Sequence, residues 1–233
     1  MIEIKGFSKA YNEKKAVDDL NLTIEKGELY GFIGHNGAGK TTTLKAIAGI
    51  LSFSQGDITV GGHSIKQEPL AAKQIMAYIP DNPDIYGYMT GIKYLNFVCD
   101  VYGVSAQDRQ SKINEYSQAF ELDQNLNDPV SSYSHGMKQK LAIIAAFAHS
   151  PKVLILDEPF VGLDPKASHT LKQYMRRLCD EGGCIFFSTH VLEVAQALCD
   201  KIAIIKNGKL VTSGNTQQVV GEKSLEEIFL ELI

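Results

Sequence analysis

Apolar and polar side chains alternate over residues 2–7 and again over 16–24, on either side of the polar run Asn12, Glu13, Lys14, Lys15. A period of two predicts two strands with one solvated face, joined by a turn at 12–15, so an antiparallel sheet opens the chain. Residues 29–33, Leu-Tyr-Gly-Phe-Ile, are apolar throughout, as a strand buried on both faces is. A helix is expected over 43–51. Gln55, Gly56 and Asp57 read as a turn into a strand at 58–60, and Gly61-Gly62 turn the chain into another at 63–65, both belonging with the antiparallel part. Residues 76–79 form a short apolar strand stopped by Pro80, and the two prolines of Pro80-Asp81-Asn82-Pro83 make this stretch a loop.

From 90 to 148 the period becomes helical: Ile92, Leu95, Phe97 and Val98 in one segment, Ile113, Tyr116, Ala119 and Phe120 in a second, residues 137–147 in a third. A buried strand returns at 153–156 and ends in Asp157-Glu158-Pro159. Helix (166–179), strand (184–188), helix (192–198) and strand (201–205) then alternate, which implies βα units and a mostly parallel sheet. A hairpin over 208–213 and an amphipathic helix over 224–233 close the chain. The expected fold is α/β: one domain over 1–233, with a core formed by 1–89 and 149–233 that includes the antiparallel part, and an inserted helical subdomain over 90–148.

Composition narrows the function. At 233 residues and 44% apolar, the chain supports a sizeable core, and a net charge of −4 gives no electrostatic footprint for nucleic acid. Its longest apolar run, 141–148, is far short of the roughly 20 residues that span a bilayer. The N-terminus lacks the basic and then apolar regions of a signal peptide, so a cytoplasmic protein is expected. Cys99, Cys179, Cys184 and Cys199 lie in apolar segments without CxxC spacing, as buried free thiols do.

The chemistry centres on Gly34-His35-Asn36-Gly37-Ala38-Gly39-Lys40-Thr41-Thr42, which fits GxxxxGK[ST] between a strand and a helix. Glycines let the backbone approach phosphates, and loop N–H groups converge with the helix N-terminus on one anion. Lys40 is the cation for the β- and γ-phosphates, and the Thr41 hydroxyl is a magnesium ligand. At the carboxyl end of the 153–156 strand, Asp157 would hold magnesium through water while Glu158 faces the γ-phosphate as general base for the attacking water. His190 ends the strand Phe186-Phe187-Ser188-Thr189 and reaches the same phosphate. The side chains of His35, His63, His135, His149 and His169 carry no ligand role. Tyr11, just before the first turn, is either a rim aromatic or a ring that stacks on a purine.

These motifs, in this order, resemble the ATPase subunit of an ATP-binding cassette (ABC) transporter over nearly the whole chain. In that resemblance Tyr11 matches the adenine-stacking aromatic, residues 34–42 the Walker A loop, 153–158 the Walker B strand, Gly162-Leu163-Asp164 the D-loop at the dimer contact, and His190 the switch histidine. Tyr133-Ser134-His135-Gly136-Met137 resembles the LSGGQ signature, with His135 for the first glycine and Met137 for the glutamine. The resemblance implies that Ser134 and Gly136 present a hydroxyl and N–H groups to a phosphate bound by the other subunit. The run Ser-His-Gly-Met-Lys-Gln-Lys is similar to bacterial exporter and antibiotic-resistance cassettes. Where the family most often places glutamine, or glutamate in exporters, this chain has Asp81, a shorter charged group for the metal.

The resemblance implies a P-loop NTPase that binds ATP and Mg2+, dimerises with itself or with a different cassette, and powers a membrane permease from the inner face of the cell membrane. Non-transport cassettes of the translation or DNA-repair type carry two cassettes or a long coiled coil. This chain has one P-loop and no sustained heptads. Glu158 and His190 argue against a nucleotide-binding module without turnover.

Overall fold

The computed structural model describes residues 1–232, so the last residue of the expected terminal helix, Ile233, lies outside the described residues. Two sheets form. One is four-stranded and antiparallel in the order β2-β1-β4-β5, from β1 (Ile2–Tyr11), β2 (Lys14–Ile24), β4 (Gln55–Val60) and β5 (His63–Ser64). The other, in the order β10-β9-β3-β8-β7-β6, uses β3 (Leu29–Ile33), β6 (Met76–Ile79), β7 (Val153–Asp157), β8 (Cys184–Thr189), β9 (Lys201–Lys206) and β10 (Lys209–Asn215). Within it β7-β8, β8-β3 and β3-β9 pair in parallel, and β10 closes antiparallel on β9. The expected α/β class is therefore observed.

The chain separates into two compact units. The first holds Met1–Tyr78, Lys152–Glu158 and Met175–Ile233, and the second Ile79–Pro151 and Pro159–Tyr174. The core of the first unit comes from inward positions of β1 and β2 (Ile2, Ile4, Phe7, Val17, Leu20), the fully buried strands β3 and β7, and the inner face of α1 (Lys40–Ile47). It also contains α2 (Pro69–Gln74), α7 (Leu192–Leu198), α8 (Thr216–Val220) and α9 (Leu225–Leu232). In the second unit α3 (Gly91–Val101) and α4 (Ala106–Ala119) pack on α5 (His135–Ala148). Each of these three helices starts on a hydroxyl that accepts from an N–H of its own first turn: Thr90, Ser105 and Ser134. Helix α6 (Pro165–Asp180) begins in the second unit and ends in the first.

Four local expectations need correction. The first helix runs over Lys40–Ile47, not 43–51, because Gly39, at φ 112°, turns the chain directly into a helix whose first turn tolerates three threonines. Gln55-Gly56-Asp57 is not a turn but the start of β4. Gly56 sits opposite a register shift in β1, where a Cβ would come 2.4 Å from the Gly6 carbonyl oxygen, so a glycine that reads as a turn instead faces a bulge in the neighbouring strand. The first hairpin turns at Asn12-Glu13, and Lys14 and Lys15 already pair with Tyr11 and Ala10. Helix α2 has too few apolar residues to show a period and was not expected.

Candidate functional site

In a parallel sheet the carboxyl ends of neighbouring strands share one edge. Here β7, β8 and β3 are neighbours, with Asp157 opposite Ser188 and Thr189 opposite Ile33. The loop after Ile33, Glu158 after Asp157 and His190 after Thr189 are therefore delivered to the same place by register alone.

The glycine loop is packed against backbone on its inner side. A Cβ at Gly34 would lie 2.6 Å from the Ile205 oxygen, and one at Gly39 2.5 Å from the Ala16 oxygen, while the Gly208 N–H donates to the Ala38 carbonyl at 2.9 Å. Thr43 N–H donates back to Gly39, so the N–H groups of Lys40, Thr41 and Thr42 open the helix without intrahelical acceptors. They are the donors a phosphate requires.

Lys40 is 6% exposed, and its ammonium donates to the carbonyls of Gly34 at 2.6 Å and His35 at 3.4 Å, with Glu158 Oε1 at 3.7 Å. Burial pulls its pKa below the usual lysine value, and the carboxylates of Glu158 and Asp157 oppose that shift. A buried ammonium held largely by carbonyls gains from a phosphate in the loop.

Glu158 is fixed from three sides. Its backbone is left-handed, at φ 48°, a strained setting for a non-glycine residue. Its N–H donates to Ser188 Oγ at 3.0 Å, the Ser188 hydroxyl donates to Asp157 Oδ1 at 2.5 Å, and the His190 N–H donates to Glu158 Oε2 at 3.3 Å. His190 Nδ1 lies 2.9 Å from the same oxygen. A carboxylate with a lysine at one oxygen and a histidine at the other, at the edge of a phosphate cradle, can position a water and take its proton.

The sequence pattern does not single out Ser188. Its signal is a polar residue ending an apolar strand, and its meaning appears only with the β7-β8 register, which sets it between Asp157 and Glu158.

Asp157 is 1% exposed and its Oδ2 is buried without a hydrogen-bond partner, an expensive state for a carboxylate oxygen unless a cation or its water shell completes it. Thr41 opens α1, which packs against β7. No group of three or more His, Cys, Asp or Glu gathers as a metal cage among the described residues. A cation here would take most of its oxygens from phosphate and water, as magnesium does, so the residues fit it. Asp81 belongs to the other unit, exposed, with its carboxylate accepting from the Asn82 N–H at 2.9 Å. Tyr11 ends β1 half exposed, with Lys9 Nζ 5.3 Å from its ring centre.

The second unit carries the other expected phosphate group. Ser134 caps α5, its Oγ accepting from Met137 N–H at 3.2 Å. His135 and Gly136 begin the helix against Gly162: a Cβ on Gly136 would come 2.6 Å from the Gly162 oxygen, and one on Gly162 2.5 Å from the His135 ring. Lys140 pairs with Asp164 at 2.7 Å and holds its carboxyl below the ordinary range, while Asp164 accepts from Ala167 N–H at 2.8 Å. Buried Gln139 donates to the Pro159 carbonyl at 3.4 Å. Residues 159–164 are thus fastened to α5 along its first turns.

The four cysteines are buried and free, with the Cys179 and Cys184 thiols pushed up to about 12 by burial. Among the described residues no helix is long and apolar enough to cross a membrane.

Known proteins resemble this chain in sequence and in fold. The pattern described as ABC transporter matches residues 17–161. The ABC transporter ATP-binding protein NatA of Bacillus subtilis is 36% identical over 233 residues, covering 98% of this chain and 95% of NatA. The linearmycin resistance ATP-binding protein LnrL of the same organism is 33% identical over 214 residues, covering 92% and 69% of the two chains. A solved ATP-binding subunit of an ABC transporter aligns with a TM-score of 0.96 at 33% identity, over 100% of this chain and 99% of that one. A dimeric post-hydrolysis cassette bound to ADP and phosphate aligns at 0.85 with 21% identity, over 93% and 99%, a likeness of fold. With the family pattern covering most of its length and relatives aligned nearly end to end, the chain belongs to the ABC transporter family, among its ATP-binding proteins.

Proposed function

We propose that this subunit binds ATP with Mg2+ between residues 34–42 and the strand ends, hydrolyses it within a dimer of cassettes, and so drives a membrane permease that exports its substrate. The observation that carries this reading is the Lys40–Glu158–His190 group at one strand edge. Loop N–H groups and Lys40 bind the phosphates, and Tyr11 stacks on the adenine. When bound, magnesium draws charge from the phosphate oxygens, and Thr41 with Asp157 would hold it. Glu158 orients the attacking water and accepts its proton, and His190 holds the Glu158 carboxylate and donates towards the γ-phosphate.

Ser134, His135, Gly136 and Met137 serve the nucleotide of the other subunit, and Asp164 lies at the dimer contact. Loss of the γ-phosphate removes what both subunits grip, so the dimer opens. Asp81 reports nucleotide state to the helical unit and the permease, which holds the subunit at the inner face of the membrane. The signature run Ser-His-Gly-Met-Lys-Gln-Lys and the resistance protein among the relatives support export.

Glu158→Gln keeps ATP binding but lowers turnover at least about a hundredfold, the scale of losing a general base. Phosphate release at saturating ATP measures this, and near wild-type turnover would remove Glu158 from the mechanism.

A further inference from the structure

Helix α9 has no part in the mechanism above, yet it is fastened at three points, one of them on the phosphate loop. The Leu225 N–H donates to Gln196 Oε1 on α7 at 2.8 Å, and Lys206 Nζ at the end of β9 donates to the Leu232 carbonyl at 3.4 Å. The Phe229 ring, 8% exposed, meets the His35 ring near edge-on, with centroids 4.9 Å apart and planes at 62°. The helix α7 starts two residues after His190, and β9 supplies the Ile205 oxygen that Gly34 rests against.

The loop is held unevenly. Gly34, Ala38 and Gly39 are buried against backbone, whereas His35, Asn36 and Gly37 form an exposed tip, and a Cβ on Gly37 would meet nothing within 4 Å. At that tip the His35 carbonyl accepts from both Ala38 N–H at 3.1 Å and the Lys40 ammonium at 3.4 Å. To take a phosphate, Lys40 must exchange those carbonyls for phosphate oxygens. The tip must then keep its turn without the cation, held by the Ala38 N–H on the His35 carbonyl and by the His35 ring on Phe229.

We infer that Phe229 is a positioning residue for the ATP site, holding the tip of the phosphate loop through His35 so that α9 sets nucleotide affinity. The inference rests on residues 34–42 being the ATP site. It bears on binding rather than on the chemical step, because the ring contact of Phe229 is with the phosphate loop.

The test uses the full chain, with equilibrium binding of a fluorescent ATP analogue in Mg2+ and steady-state hydrolysis of ATP. Phe229→Ala raises Kd and KM about fivefold, within the range of an edge-to-face ring pair, and leaves kcat within twofold. Phe229→Tyr retains the wild-type Kd. His35→Ala reproduces the rise, and the double variant is no weaker than the weaker single one, because both substitutions remove one contact. An unchanged Kd in Phe229→Ala, effects that multiply in the double variant, or a fall in kcat with constant Kd would each overturn the assignment. Should Phe229→Ala fail to fold, Phe229→Leu paired with His35→Ala provides the same cycle. Lys40→Ala is the reference: if it too binds normally, the ATP site itself is misplaced, whereas its loss of binding beside a normal Phe229→Ala rejects only the role of Phe229.

Discussion

The two units hold the groups assigned to phosphate in different ways. In the first, side chains far apart in sequence touch each other before any ligand arrives: Lys40 with Glu158, Glu158 with His190, Asp157 with Ser188. In the second, Ser134 and Gly136 sit at a helix start fixed by contacts to residues 159–164, with Ser134 exposed and bonded to its own helix. On the proposed function, one unit carries the reaction and the other recognition. Chemistry needs several groups held in mutual register, whereas gripping a phosphate needs a rigid hydroxyl and a helix N-terminus aimed outward. On this account a subunit contains all of its own hydrolytic groups and lends its signature helix to another.

The first way to break the comparison is through Ser188, whose hydroxyl joins the two carboxylate residues of the first unit. Ser188→Ala removes a donor to Asp157 and an acceptor for the Glu158 N–H, and the strained Glu158 backbone loses its tether. About a tenfold fall in kcat is expected, with little change in nucleotide Kd, since one neutral bond, one bond to a carboxylate and a small displacement are at stake. A kcat within twofold of wild type would mean the carboxylates are ordered without it.

Why Ser188 is invisible in the sequence explains what is legible there. The glycine loop, Asp157-Glu158 and His190 announce themselves because each is a local pattern of residue types next to an apolar strand. The layout of strands and helices is legible for the same reason, since fully apolar runs such as 153–156 read as buried strands by themselves. Partnerships fixed by tertiary packing are silent in sequence, as with Ser188 opposite Asp157 in the sheet and Phe229 of α9 on His35. Glycines mislead where one residue type serves two geometries: Gly56 makes room for a bulge in the neighbouring strand, while Gly39 starts a helix whose threonine-rich first turn reads as loop.

Asp81 sharpens the comparison from the second unit. In the structure its carboxylate caps the turn at Asn82, a contact that needs no nucleotide. If it also reports nucleotide state, Asp81→Ala leaves Kd for ATP unchanged in the subunit alone but lowers permease-stimulated hydrolysis about fivefold, the scale of a modest coupling free energy. Equal stimulation of mutant and wild type would leave Asp81 as a turn residue.

The smallest effect concerns the stability of the helical unit. The His149 ring stacks on Tyr102 with centroids 3.7 Å apart, its Nδ1 is buried without a partner, and burial lowers its pKa to about 4. The unfolded chain takes up that proton near pH 6.5 and the folded one only near pH 4, so stability is lost as pH falls through that window. His149→Phe keeps a ring on Tyr102 and removes the proton. Between pH 7 and pH 5 its Tm should fall by about 3 °C less than that of wild type. Parallel losses in the two proteins would show that His149 does not titrate on unfolding.

The central claim, that one subunit's signature helix grips the other's nucleotide, is tested most directly by light scattering of Glu158→Gln with saturating ATP. The account predicts a dimer with ATP and a monomer without it. Adding Ser134→Arg should return the protein to a monomer while each chain still binds ATP with unchanged Kd. A Glu158→Gln protein that stays monomeric with ATP bound, or a double variant that dimerises as well as the single one, would contradict it.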